Sequence, residues 1–306
     1  MSESTARPRL LLVGGGGGLV GRAVLAEFGP SWRIRSVHRH PAPGEAGGSI
    51  EWVRADAGNI QDWPGLLHDV DLVLNVAWYR AGSERRFAPL AAGLERLIEA
   101  ARAAEVPRFI HLSVPPATHS IETTLPYMTF KRQIDRALEK SGLSFAIVRP
   151  TMLFGPRDKL LTVMLRTMAR YHLFPMFGEG EYHLSPIAVS DLARILRREA
   201  QSEENHVVLA GGPTRWQYRA LTDEMFARLG LRPRYLRFSP RGSIRLARFL
   251  ETMGSSLLYA YEVEWLLSDL LGLPPYEGLD SPLLPVEPFL SQEARRLRGE
   301  TARVPA

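Results

Sequence analysis

Leu10-Leu11-Leu12-Val13-Gly14-Gly15-Gly16-Gly17-Gly18-Leu19-Val20-Gly21 is the stretch on which the reading of this chain turns. Four apolar residues of strand character run into five consecutive glycines, and a helical apolar pattern follows at Leu19, Val20, Ala23, Val24 and Phe28. A strand, a turn without side chains and a helix start together suit a dinucleotide pyrophosphate. The backbone comes close to the phosphates, and the free N–H groups and positive dipole end of the helix face the anion. Two glycine frames fit, Gly16-x-Gly18-x-x-Gly21 and Gly15-x-x-Gly18-x-x-Gly21. Both keep Gly18 and Gly21, so the expected cradle runs through Gly15, Gly16, Gly17, Gly18, Leu19, Val20 and Gly21.

Working outward, Arg33 to Val37 alternates as a second strand that ends at His38-Arg39-His40. An NAD-specific fold places an Asp or Glu here against the ribose 2′-hydroxyl. The chain instead has an arginine flanked by histidines. A guanidinium grips a 2′-phosphate through two hydrogen bonds, so His38 and Arg39 lead to an expectation of NADP(H) over NAD(H). Glu51 to Ala55 reads as a third strand, followed by Asp56-Ala57, where the carboxylate either accepts from an adenine amino group or caps the next turn. Asp71 to Ala77 and Arg108 to Val114 are nearly continuous apolar runs, as when both faces of a parallel sheet are covered. Strands alternating with helices at this spacing mean an α/β fold, a doubly wound parallel sheet.

Composition is that of a globular protein, 45% hydrophobic over 306 residues, one large domain or two intimate ones. No run of 18 apolar residues marks a membrane span, and the first nine residues lack a signal peptide's apolar stretch, so a cytoplasmic location is expected. The chain contains no cysteine, which excludes disulfides, thiolate metal sites and cysteine nucleophiles, and no other ligand cluster suggests a metal. The formal charge is +5, with only three lysines, at 131, 140 and 159, among 38 basic residues. The arginines are scattered along the sequence, which argues against nucleic acid and fits an anionic cofactor or a solvated surface.

Ser113 lies at a strand's carboxyl end, where ligands of such sheets sit. Beyond it, Tyr127-Met128-Thr129-Phe130-Lys131 opens a helix, and residues four apart share one helical face. With nine tyrosines and three lysines, a chance Tyr-x-x-x-Lys is expected only about 0.09 times. A chain that elsewhere uses arginine has here a compact ammonium. A free tyrosine ionises near pH 10, and a neighbouring ammonium favours its phenolate, so the pair suits proton exchange at a carbonyl or alcohol.

These residues resemble the short-chain dehydrogenase/reductases, in their extended and atypical branches. The likeness is greatest to the NAD(P)-dependent epimerase/dehydratase and NADH-ubiquinone oxidoreductase 39 kDa subunit-like groups. It rests on the Val13 to Gly21 turn, Asp56-Ala57, Asp71 to Ala77, Ser113, Tyr127-x-x-x-Lys131, Val148 to Pro156 and Pro186 to Ala193, and it fades after about Phe238. The departure is the all-glycine turn, where relatives usually carry Thr and Ala. The resemblance implies that Gly15, Gly18 and Gly21 bind pyrophosphate, Arg39 the 2′-phosphate and Asp56 adenine. Ala77 would lie against the cofactor, and Pro150, Thr151, Met152 and Leu153 would line the nicotinamide. Ser113 would orient a substrate carbonyl, Tyr127 exchange its proton, and Lys131 hold the nicotinamide ribose.

The expected organisation is a Rossmann dinucleotide-binding domain over residues 1–155. A smaller, mostly helical substrate-binding region follows over 156–306, with segments near 184–193 and 206–212 returning to the core. The region after Gly155 is rich in Leu, Met and Phe, and the apolar stripe at Phe249, Met253, Tyr259, Tyr261 and Trp265 reads as core in preference to pocket lining. The leading expectation is therefore an NADP(H)-dependent oxidoreductase acting on a small, largely apolar molecule, as monomer or homodimer. Two alternatives stand beside it, a nucleotide-sugar epimerase or dehydratase and a non-catalytic NAD(P)-binding assembly or sensor protein.

Overall fold

In the first strand, β1 (Arg9–Val13), four of five residues are fully buried, because helices cover both faces of the sheet to which it belongs. The computed structural model describes residues 7–15, 17–39, 50–78, 84–117, 122, 125–253 and 259–301. They form two compact units, residues 1–150 with 189–209 and residues 151–188 with 210–306.

The first unit is built on β1, β2 (Arg33–His38), β3 (Ile50–Arg54), β4 (Leu72–Asn75), β5 (Arg108–Leu112), β6 (Phe145–Pro150) and β11 (His206–Ala210). Their order is β11-β6-β5-β4-β1-β2-β3, and every neighbouring pair from β3 to β6 is parallel. The strand order reverses between β1 and β4, which opens a crevice beyond their carboxyl ends. Alternate strand residues face opposite sides. Leu11, Val13, Val73, Phe109 and Ile147 pack with Leu94, Leu97 and Ile98 of α3 (Glu84–Ala103) and Ile134 and Leu138 of α4 (Pro126–Glu139). In the same unit α1 (Leu19–Phe28) packs on the helix Val189–Glu199, and Arg197 donates to the Glu27 carbonyl at 3.1 Å.

The second unit contains three two-stranded ladders, β7 (Leu153–Phe154) with β10 (Ile187–Ala188), β9 (His183–Leu184) with β12 (Trp216–Gln217), and β8 (Phe174–Phe177) with β13 (Tyr235–Phe238). Helices Leu160–Tyr171, Tyr218–Leu229 and Glu287–Thr301 share one core that includes Leu161, Met164, Leu165, Phe174, Met176, Phe226 and Leu290. Most of the Leu, Met and Phe that suggested an apolar substrate form this core. A pocket wall and a packed interior draw on the same residue types, and here the interior takes them. The aromatic stripe divides differently from expectation: Trp265 is packed on this core, whereas Phe249 and Met253 are 61% and 71% exposed. Among the described residues no helix is long and apolar enough to cross a membrane.

Candidate functional site

Gly14, Gly15, Gly18 and Gly21 serve different purposes. Gly14 turns the chain at φ +88, and a Cβ there would sit 2.3 Å from the Ala77 Cα. The ends of β1 and β4 thus touch at the reversal point, where the Val76 N–H donates to the Val13 carbonyl at 2.9 Å. A Cβ on Gly15 would meet the Leu12 side chain at 2.2 Å, and one on Gly21 would meet the Gly15 carbonyl oxygen at 1.3 Å. Gly18 is different: among the described residues nothing lies within 4 Å of a Cβ built on it. It is the N-cap of α1, with extended backbone and no side-chain cap. The first helical N–H groups have no acceptors within their own helix, so Gly18 leaves them an unobstructed approach for an anion. Leu19 and Val20, half-buried, form the first turn behind it. This cradle fits a pyrophosphate. Gly17 is exposed beside it, and Gly16 lies outside the described residues.

At the end of β2, His38 is buried edge-on to Trp52, with ring centroids 4.9 Å apart, and Arg39 is exposed. The Asp56 carboxylate accepts the Gly58 N–H at 3.0 Å, the turn-capping role that was one of its two readings. Ala57 is buried against the helix Glu84–Ala103, where a Cβ on Gly93 would sit 2.1 Å from its carbonyl oxygen.

One bond ties the helix of Tyr127 and Lys131 to the strand end before Ser113. The Lys131 Nζ donates to the Leu112 carbonyl at 2.7 Å, fastening the first turns of α4 to the strand end immediately before Ser113. The Ser113 N–H is tied to the Val148 carbonyl at 2.8 Å. Its Oγ is buried and has no hydrogen-bond partner among the described residues. Tyr127, half-buried, packs edge-on to Trp78 and Phe87, at 5.7 and 6.0 Å between centroids. Lys131 lies over the Trp78 ring at 4.2 Å, a cation–π contact that stabilises the ammonium.

A buried polar network under this face was not anticipated. Asn75 and His111 are register partners on β4 and β5. The Asn75 Oδ1 accepts the Ala77 N–H at 3.0 Å, which turns its Nδ2 toward the His111 Nδ1, 2.9 Å away. That assigns His111 the tautomer with hydrogen on Nε2, facing Asp135 at 3.7 Å. Asp135 is held by Arg132 and by Arg149, the latter at 3.0 Å, and Arg132 also meets Glu122 at 2.7 Å. Burial, helped by Lys131, lowers His111 to about 3, so it is neutral. The available signal was polar residues inside two otherwise apolar strands, Leu72–Asn75 and Arg108–Leu112, and an Asp four residues after the lysine.

Burial also lowers Lys131 from 10.5 to about 7, with Asp135 opposing the shift and Arg132 adding to it. Between those two values the unfolded chain binds the proton that the folded chain has released, so stability rises with pH across that window and is lost again as pH falls toward about 7. Lys131→Met is expected to flatten this part of the curve. Urea midpoints measured over that range for both proteins check it.

Pro150 ends β6, buried, in the first unit, and Thr151, Met152 and Leu153 belong to the second. There the Thr151 hydroxyl donates to the Ser185 carbonyl, the Met152 carbonyl accepts the Ile187 N–H at 2.9 Å, and Leu153 pairs with Ile187.

Against known proteins, the family described as NAD(P)H-binding matches residues 15–168. No curated protein matches the sequence. Among solved structures, MoeE5 in complex with UDP-glucose and NAD is 20% identical, with a TM-score of 0.68 over 96% of this chain and 99% of that one. UDP-glucuronic acid 4-epimerase from Bacillus cereus, in complex with UDP-glucuronic acid and NAD, is 16% identical, with a TM-score of 0.68 over 95% and 99%. A nucleoside-diphosphate-sugar epimerase from Staphylococcus aureus is 17% identical, with a TM-score of 0.74 over 92% and 99%. These likenesses establish the doubly wound fold with its smaller, mostly helical C-terminal region. They overturn the expectation of NADP(H) over NAD(H), because the MoeE5 and B. cereus structures hold NAD. The physical reason is that a strand-end arginine is not committed to a 2′-phosphate. An exposed guanidinium such as that of Arg39 stacks on an adenine or faces solvent equally well, and residue type alone does not distinguish these.

Proposed function

Since the chain belongs to the NAD(P)H-binding family, within the extended short-chain dehydrogenase/reductase and epimerase/dehydratase superfamily, we propose that it is an NAD(H)-dependent enzyme acting at a secondary hydroxyl of a nucleotide sugar, as an epimerase or dehydratase. The reading is carried by the Lys131–Leu112 bond, which holds the Tyr127–Lys131 face beside Ser113. NAD, when bound, supplies the acceptor and donor of hydride. Tyr127 takes the hydroxyl proton as the substrate carbon is oxidised to a carbonyl and returns it on reduction. Ser113, with an unpartnered buried Oγ, donates a hydrogen bond to the same oxygen. Lys131 over the Trp78 face favours phenolate at Tyr127 and offers its remaining donors to the nicotinamide ribose.

The apolar-substrate reading loses its basis because most of the Leu, Met and Phe behind it form the core of the second unit.

The test is to incubate the protein and NAD⁺ with UDP-glucose, UDP-glucuronic acid and UDP-N-acetylglucosamine, and to separate the products by chromatography. Conversion of at least one to an epimer or dehydrated sugar is expected. Reduction of simple apolar ketones with NADH, and no change in any UDP-sugar, contradicts the proposal.

A further inference from the structure

Arginines occur along the whole chain, but their excess over acids falls in one segment of the sequence, which corrects the expectation of evenly scattered charge. Between residues 231 and 253 there are six arginines, at 232, 234, 237, 241, 245 and 248, and one acid, Glu251. That is a net +5, equal to the whole chain's formal charge, while the remaining 32 basic and 32 acidic residues cancel. All six arginines are exposed. The second half of the segment is the helix Pro240–Thr252. Its small buried face, Ser243 and Ala247, is fully covered, with Ala247 packed on Ala260 and Val263.

The opposite face is exposed and divided. At 3.6 residues per turn, Arg241, Arg245 and Arg248 run along one side of it, and Phe249 and Met253 along the adjoining side. Phe249 and Met253 are 61% and 71% exposed, and Leu236 on β13 just before the helix is 51% exposed. Two of the arginines have acidic neighbours, Arg248 with the half-buried Glu264 at 3.2 Å and Arg237 with the exposed Glu179 at 3.4 Å. Such surface pairs contribute little and exchange readily for another anion.

We propose that this face docks the protein on an anionic lipid bilayer, with the helix lying in the interface. Arginines beside large apolar side chains on one helical face are the pattern of interfacial helices: the cations meet acidic headgroups and the apolar groups enter the acyl boundary. An acidic protein groove would meet the charge. It would not by itself account for a phenylalanine and a methionine standing out from the helix next to the arginines. The site is separate from the Tyr127 machinery, and its test does not depend on turnover.

The full-length protein is sedimented with phosphatidylcholine vesicles with and without phosphatidylserine, at low and high salt. Binding is expected only with phosphatidylserine and is expected to weaken with salt. Replacing Arg241, Arg245 and Arg248 with Gln is expected to weaken it about a hundredfold. Phe249→Ser with Met253→Ser is expected to weaken it about tenfold. Because all five side chains are exposed, the thermal midpoint stays unchanged. No binding to phosphatidylserine vesicles at low salt overturns the proposal. So does binding that survives the arginine replacements, or arginine-dependent binding of single-stranded RNA without vesicle binding.

Discussion

On the proposed function, Tyr127→Phe is expected to lower kcat for a nucleotide sugar by about a thousandfold and to leave NAD affinity within about twofold. The substitution removes one oxygen from a half-buried ring whose edge-on contacts with Trp78 and Phe87 stay in place, so the fold is undisturbed. Without that oxygen the substrate hydroxyl has no phenolate to receive its proton as the carbonyl forms. The interaction is made mainly in the transition state, so kcat falls and KM moves little. Steady-state kinetics together with a separate titration of NAD measure the two quantities. A structural role for Tyr127 would instead appear as a lowered thermal midpoint with nearly normal turnover.

Gly21→Ala abolishes NAD binding, raising Kd more than about a hundredfold, and destabilises the protein by about 2–3 kcal/mol. The added Cβ would stand 1.3 Å from the Gly15 carbonyl oxygen and 2.0 Å from its carbon. Backbone cannot yield as a flexible side chain can, so the turn must separate from α1, taking apart the row of N–H groups that faces the anion. Gly18→Ala is the informative companion. Its Cβ meets nothing within 4 Å, so the thermal midpoint is kept, yet the methyl occupies the approach that the pyrophosphate needs. NAD affinity is expected to fall about tenfold or more by obstruction alone. Calorimetric titration of NAD beside thermal melts of both variants separates a broken turn from a blocked one.

The contrast between Gly21 and Gly18 also marks the reach of sequence reading. Strand, turn and helix were legible at Leu10 to Gly21 because apolar periodicity and glycine content are local properties. Which glycine frame operates was not, since five identical residues carry no steric information; the structure brings Gly15 against Gly21, and Gly16 lies outside the described residues. The Tyr127–Lys131 spacing gave one helical face, but the Lys131 bond to Leu112 spans 19 residues. The Asn75–His111–Asp135 network likewise joins two strands and a helix that only the parallel register of β4 and β5 brings together. Two expectations failed for a common reason. An arginine at a strand end and an apolar run after Gly155 each suit more than one environment, and what they suit is decided by neighbours distant in sequence.

The most direct measurement is nicotinamide fluorescence on rapid mixing of the NAD⁺-loaded protein with the UDP-sugar that turns over, for the natural protein and Tyr127→Phe. Reduced nicotinamide appearing and decaying within a turnover in the natural protein, and accumulating at least a hundredfold more slowly in the variant, is the predicted result. Equal rates in the two proteins, or product formed with no reduced nicotinamide at any time, would contradict it.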